Sequence, residues 1–373
     1  FENVGQWKRA WYYPKNNEDM HQAVQRESKA ARDSAGILDA STLGKIDIQG
    51  TDASEFLNRV YTNAWSKLAI GKCRYGLMLN EDGMVYDDGV TTRLEENHYI
   101  MTTTTGGAAN VLGKLEDYLQ TEWPELDVYL TSVTDHFATI SVCGPNSKKI
   151  ISNVIPDLDL SDDNFPHMSF KDAKIDKINC RIMRISFTGE HSYEINIQAS
   201  YGRSIWEKCM EAGKNFNITP YGTETMHLLR AEKGFIIVGQ DTDATMTPID
   251  LQMDWIVSKK KYDFIGKRSL YRSDTIKEDR KQLVGLLTDN PDEILEEGAQ
   301  IVADIKKSPI EMLGHVTSSY YSPNLKKSIA LGVVRGGKNM MGQKLIIPME
   351  KKNINVTVAD PVFLDKENKR LNA

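Results

Sequence analysis

Clustered positive charge is missing from this 373-residue chain. Lys and Arg number 46 against 52 Asp and Glu, a net charge of −6. Nucleic-acid binding as the main task is argued against, because phosphate contacts need Lys and Arg gathered together. The run Lys259-Lys260-Lys261 is too short to change this. No apolar stretch approaches the roughly 18–20 residues needed to span a bilayer, and no signal peptide opens the chain, so no membrane partner is expected. Cysteine is scarce: Cys73, Cys143, Cys180 and Cys209 are scattered without CxxC spacing, and the seven histidines are equally dispersed. The thiols read as reduced and buried, the location as cytoplasmic, and a metal site is not expected. GxGxxG after a strand, GxxxxGK[ST] and GxSxG are all absent. Dinucleotide, P-loop and serine-hydrolase readings therefore lack their loops.

What is present is a chain long enough for two or three domains. Residues 1–17 resemble a docked linker or an edge strand. A helix is expected over 19–35 with Gly36 as its stop. GKIDIQG (44–50) alternates as a strand, and Asp52 with Glu55 forms a capping-box-like pair for the next helix. A second cycle of strands and helices runs from about 127 to 234. Several neighbouring strands are joined by short turns, which favours an α+β class with antiparallel sheets. From about 281 the pattern is all-β, with LVGLLTD, AQIVAD, HVTSSYY, SIALGVV and KLIIPM at regular spacing, the signal of a small barrel or sandwich. A boundary near 278 divides the chain into 1–277 and 278–373.

Two hairpins carry the chemistry. Residues 74–94, RYGLMLNEDGMVYDDGVTTRL, read as strands folded back on Glu81-Asp82-Gly83, with Tyr75 on the first arm and Asp87 and Asp88 on the second. Strand alternation sends the two aspartates to opposite faces, so one faces inward and the other is expected in solvent. On spacing alone, an ordinary hairpin with surface aspartates fits as well. Residues 184–197, RISFTGEHSYEINI, form the second hairpin, with Phe187, Glu190 and Glu194. Glu194 reads either as an exposed strand carboxylate or as a pocket group able to accept two hydrogen bonds side by side.

LNEDGMVYDD and SFTGEHSYEI resemble signature motifs of the aminomethyltransferase (glycine-cleavage T-protein) family. DASTLGKIDIQGTDASEFL, LLRAEKG and HVTSSYYSPNLKKSIALGVV resemble further family motifs, in the family's order. The resemblance implies a T-protein-like folate-binding fold: antiparallel α/β subdomains around a central cavity, followed by a C-terminal barrel. It also implies Asp88 as the essential aspartate, Tyr75 as a folate-contacting tyrosine and Glu194 as the pterin-binding carboxylate. Phe187 stands where a tyrosine is usual, and Leu43 where a pocket methionine often stands. Of the threonines at 102–105, Thr104 is a candidate hydroxyl at the same site. Met226 departs from the family, which carries an arginine there.

That departure, with GQWKRAWYYP, RYGLMLNEDG and TPYGTE, resembles the oxidase-linked branch and within it the C-terminal part of sarcosine oxidase alpha subunits. The first residue is Phe1, which fits a processed chain or a piece of a longer polypeptide. The implied activity is tetrahydrofolate-dependent one-carbon transfer. An iminium or formaldehyde-level carbon from sarcosine-type amine oxidation would be captured as 5,10-methylenetetrahydrofolate. Flavin and NAD would belong to an upstream region or to partner subunits. Two other readings stay open: a stand-alone aminomethyltransferase or demethylase, and a non-catalytic folate-binding protein. The latter's Lys-Gly-Cys-Tyr motif is replaced here by Lys233-Gly234-Phe235-Ile236.

Overall fold

Residues 1–306 and 308–372 are described by the computed structural model. They fall into two units: 1–77, 87–226 and 368–372 make the first, and 78–86 and 227–367 the second. Among the described residues, no helix is long and apolar enough to cross a membrane.

The first unit begins with a ribbon of β1 (Glu2–Val4) and β2 (Trp7–Arg9), followed by α1 (Met20–Asp33). Asp19 caps α1 in a reciprocal box: its carboxylate accepts the Gln22 N–H at 2.8 Å, and the Gln22 side chain accepts the Asp19 N–H at 3.1 Å. The capping box expected at Asp52 does not form. α2 (Ala53–Val60) starts without a side-chain cap, because Asp52 accepts instead from the distant Asp127 N–H at 2.9 Å. The N-terminal segment is docked by buried Glu27, which accepts from Tyr13 N–H (2.6 Å), Gly222 N–H (3.0 Å) and Thr225 Oγ1 (2.6 Å).

Two sheets follow, and the chain changes sheet between consecutive strands. β3 (Gly36–Asp39) enters a six-stranded sheet, and β4 (Gly44–Gln49) a five-stranded one. With β5 (Cys73–Leu79), β6 (Val85–Glu95), β7 (His98–Thr103), α3 (Ala108–Asp117) and β8 (Tyr129–Ser132), the smaller sheet takes the order β5-β6-β7-β4-β8. β9 (Phe137–Cys143), α4 (Ser147–Val154), β10 (Ser169–Ile175), β11 (Ile178–Arg184), β12 (Ser192–Gln198), α5 (Gly202–Ala212) and β13 (Thr219–Pro220) supply the rest. The larger sheet is ordered β10-β11-β12-β9-β3-β13, antiparallel except for β13 beside β3. Its outer face is sealed by α4 and α5 through Ile140, Val142, Ile150, Ile151, Ile195 and Ile205. Its inner face meets the smaller sheet where Met183 and Ile185 pack with Cys73 and Ile100. α6 (Thr223–Glu232) completes the helices.

In the second unit, the hairpin tip is closed by Asn80, whose Oδ1 accepts the Asp82 and Met84 N–H groups at 3.1 and 2.9 Å. Gly83 takes φ +83° there, a conformation that favours glycine. The remainder is a closed barrel of β14 (Lys281–Thr288), β15 (Gln300–Val302), β16 (Met312–Ser322), β17 (Lys327–Arg335), β18 (Lys344–Pro348) and β19 (Asn353–Ala359). Five strands overlap the segments named from sequence, and three of them run past those bounds. The sixth, NINVTVA, buries Ile354, Val356 and Val358 and closes the barrel against β14. A bulge in β16 between Val316 and Ser318 presents Thr317 and Ser318 to Asp241, which accepts from them at 2.6 and 2.9 Å. Asp241 in turn pairs with fully buried Arg230.

Candidate functional site

The first hairpin places Tyr75 on β5 and Asp88 on β6, and the Tyr75 hydroxyl donates to Asp88 Oδ2 at 2.5 Å. Both side chains share the face of the five-stranded sheet that carries Cys73 and Ile100, the face turned toward the second sheet. Burial pushes the Asp88 carboxyl up to about 6, and the Tyr75 hydrogen bond pulls against that rise. Burial and the neighbouring carboxylate raise the Tyr75 phenol well above its usual value, so it remains a proton donor.

Asp87 is not solvated. Alternation does send it to the opposite face, but that face is also covered, and Asp87 is 2% exposed. Its Oδ2 accepts the Thr104 N–H at 3.3 Å, beside Gly107 at the start of α3. Its Oδ1 is buried without a partner. Burial first and the Asp88 charge second raise it to about 7, while hydrogen bonds from Thr104 oppose the shift. Thr104 thus serves Asp87, and its hydroxyl accepts the Gly107 N–H at 3.1 Å. Among the described residues, neither Tyr75 nor Asp88 bonds to it.

The second hairpin brings Glu194 to the same inter-sheet space from the other side. β12 pairs it with Met183 on β11 and Ser141 on β9, and its charge reaches Cys73, whose thiol burial lifts to about 12. Glu194 is partly buried, and among the described residues no protein group hydrogen-bonds its carboxylate. Burial raises it to about 7 against the pull of Lys45. Phe187 stands on the turn beside this hairpin at 37% exposure, the most open of the expected positions. Leu43 lies in the connector between β3 and β4, half-buried. Met226 Sδ lies 3.9 Å from Arg9 Nη2, so a guanidinium does approach that position, from the N-terminal ribbon.

Lys45 was missed from sequence. It is 2% exposed, and its ammonium donates to the Ser41 and Leu43 carbonyls at 3.0 and 2.9 Å. Burial lowers it to about 8, with Glu194, Asp39 and Asp135 opposing. Alternation in GKIDIQ puts Lys45, Asp47 and Gln49 on one face, which reads as a solvated face when the strand is seen alone.

The second unit holds a recess of about 280 Å³ that gathers none of these residues. Three of its four cations are occupied: Arg280 by Asp250 and Asp274, Lys277 by Asp274, and Arg335 by Glu311.

A family model for the GCVT N-terminal domain matches residues 1–261, and one for the glycine cleavage T-protein C-terminal barrel domain matches residues 281–365. The chain is 54% identical over 374 residues to a sarcosine oxidase subunit alpha from Corynebacterium sp. (strain P-1), covering 99% of the chain and 39% of that protein. A Rhizobium meliloti sarcosine oxidase subunit alpha is 42% identical, with 100% and 38% covered. An aminomethyltransferase from Caldanaerobacter subterraneus subsp. tengcongensis is 30% identical, with 94% and 90% covered. The crystal structure of glycine cleavage system aminomethyltransferase T from Bartonella henselae superposes with a TM-score of 0.83 at 24% identity, covering 96% of this chain and 92% of that one, and shows the shared fold. The chain spans about two fifths of the length of the sarcosine oxidase subunits it matches.

Proposed function

Because the chain belongs to the glycine cleavage T-protein family, whose members bind tetrahydrofolate, we propose that its first unit binds this folate between its two sheets. There it captures an iminium or formaldehyde-level carbon from sarcosine-type amine oxidation as 5,10-methylenetetrahydrofolate. The observation that carries this reading is Glu194, a partly buried carboxylate with no protein hydrogen bond among the described residues, facing the same space as the Tyr75–Asp88 pair. An open pair of carboxylate acceptors fits the adjacent N3–H and 2-amino donors of a pterin. A surface strand glutamate would have water and would not have its carboxyl raised to about 7 by burial.

Tetrahydrofolate supplies the nucleophilic nitrogens. The protein's part is to hold the carbon acceptor and manage charge and protons. Glu194 anchors the pterin edge, Phe187 and Leu43 provide apolar contact, and Thr104 holds Asp87 behind the sheet. Asp88, mostly ionised at neutral pH with a carboxyl near 6, faces a cationic one-carbon donor with a fixed negative charge and accepts the proton released by the attacking amine. Tyr75 aims Asp88 and keeps it ionised. Flavin and NAD chemistry is assigned to the part of the relatives' length that this chain does not cover, or to partner subunits, and the working location to the cytoplasm. The functional boundary is placed at 277/278, between the regions matched by the two family models.

The test is Asp88→Asn, assayed by conversion of tetrahydrofolate to 5,10-methylenetetrahydrofolate with flavin subunits present. The near-isosteric amide should keep folate affinity and slow capture about 10²-fold, the scale of a lost acid–base group. Unchanged capture would remove Asp88 from the chemistry, and absence of folate binding by the wild-type chain would overturn the reading as a whole.

A further inference from the structure

Lys45 faces Glu194, yet the function proposed above gives it no role. Its direction follows from register. β4 pairs Lys45 with Thr102 and Asp47 with Ile100 on β7. Ile100 packs with Cys73 and Met183 between the sheets, so Lys45 also looks into that space. The ammonium is buried, and two of its three N–H groups go to the Ser41 and Leu43 carbonyls. Among the described residues the third has no partner. Pinning the 41–43 connector would account for two bonds, but a neutral donor could do that without the cost of burying a charge. Glu194 has the complementary deficit, a charge with no donor among the described residues.

We infer that Lys45 and Glu194 together read one edge of the pterin ring, the ammonium donating its third hydrogen to the 4-oxo oxygen while Glu194 accepts from N3–H and the 2-amino group. This rests on the folate reading. The ring edge presents acceptor, donor, donor, and the pair presents donor, acceptor, acceptor. One arrangement thus satisfies both orphaned groups, and each charge holds the other ionised in a partly dry site. It also makes the pair a specificity device, because an amino group in place of the 4-oxo group would set donor against donor at Lys45 and turn N3 into an acceptor facing Glu194.

The charged and titratable groups around the pair come from several elements. Asp39 at the end of β3 and Asp135 after β8 act on Lys45. Cys73 on β5 and Tyr221 after β13 feel Glu194, and both are shifted upward, out of the neutral range. Binding to the pair therefore strengthens as pH rises through the Glu194 value near 7 and weakens as Lys45 loses its proton above about 8. Asp88, near 6, lies on the acid side and leaves the alkaline limb clean.

The experiment measures calorimetric affinity for 5-formyltetrahydrofolate, and for its 2,4-diamino counterpart, from pH 6 to pH 9. Lys45→Gln keeps a donor for the carbonyls and removes the charge, and Lys45→Arg keeps the charge. Circular dichroism confirms folding of each. Wild type should prefer the 4-oxo ligand by about tenfold or more, the scale of one unmatched buried polar contact. Lys45→Gln should lose about tenfold in affinity, the position-4 part of that preference and the alkaline limb, and its acid limb should move to higher pH, while Glu194 keeps the part set by N3–H. Lys45→Arg should restore much of the affinity. If Lys45→Gln binds both ligands as wild type does, with the alkaline limb intact, the inference fails while folate binding stands. If wild type binds neither ligand, the folate reading fails with it.

Discussion

Tyr75 and Asp88 sit on opposite arms of one hairpin and are joined by a hydrogen bond of 2.5 Å from the phenol to Oδ2. The bond opposes the rise that burial imposes on the Asp88 carboxyl. Tyr75→Phe removes the donor and leaves the ring. A hydrogen bond to a charged group contributes roughly 1.5–3 kcal/mol, which corresponds to about one to two pH units. The acid limb of the one-carbon capture profile should therefore move upward by about that amount, with the rate recovering at higher pH. A pH–rate profile checks this, and an unmoved limb would show that the bond does not tune Asp88.

Glu194→Gln swaps an acceptor pair for one acceptor and one donor group. Opposite two pterin donors, that mismatch should weaken 5-formyltetrahydrofolate binding by roughly 1–3 kcal/mol at pH 8. Without ligand the same change should raise the melting temperature, because a half-buried carboxylate lacking a donor costs stability that binding offsets. Calorimetry and thermal melts read the two signs separately. A weaker, less stable variant would make Glu194 a structural residue.

The sequence showed most of the scaffold because its strands are short, alternating and punctuated. The turn of LNEDG is legible from Asn80 and Gly83 alone, and the α+β class from hairpins that follow one another directly. What stayed hidden depends on what covers each face. Alternation correctly separated Asp87 from Asp88, but it carries no information about α3 lying over the Asp87 side. Lys45 was hidden for the same reason: one strand cannot reveal that its polar face meets a second sheet. Asp52 shows a third limit, since a local cap lost to Asp127, 75 residues away.

In the second unit, Arg230 and Asp241 form a fully buried ion pair that Thr317 and Ser318 complete. Arg230→Met should leave the Asp241 charge uncompensated and cost about 3–5 kcal/mol, the usual penalty for breaking a buried pair. The double variant Arg230→Met, Asp241→Asn should recover much of that loss. Denaturant titration of both settles it, and additive costs would mean that the two groups act independently.

Asp87 yields a prediction about pH and stability. Its folded carboxyl titrates near 7 because of burial and the Asp88 charge, against an ordinary value of 3.8. Below about pH 4 both folded and unfolded chains hold the proton, and Asp87 contributes nothing to pH dependence. Between about 4 and 7 the unfolded chain releases it while the folded chain retains it, so stability falls as pH rises. Above about 7 both are ionised and the penalty is constant, up to a few kcal/mol at 1.36 kcal/mol per unit. Asp87→Asn cannot ionise and keeps an acceptor for the Thr104 N–H. It should match wild type near pH 4, exceed it in stability at pH 8, and flatten the decline between, with folate affinity little changed. Urea titrations at four or five pH values would show this. A variant less stable than wild type at pH 8 would mean that the buried Asp87 charge is compensated, and that its carboxyl titrates well below 7.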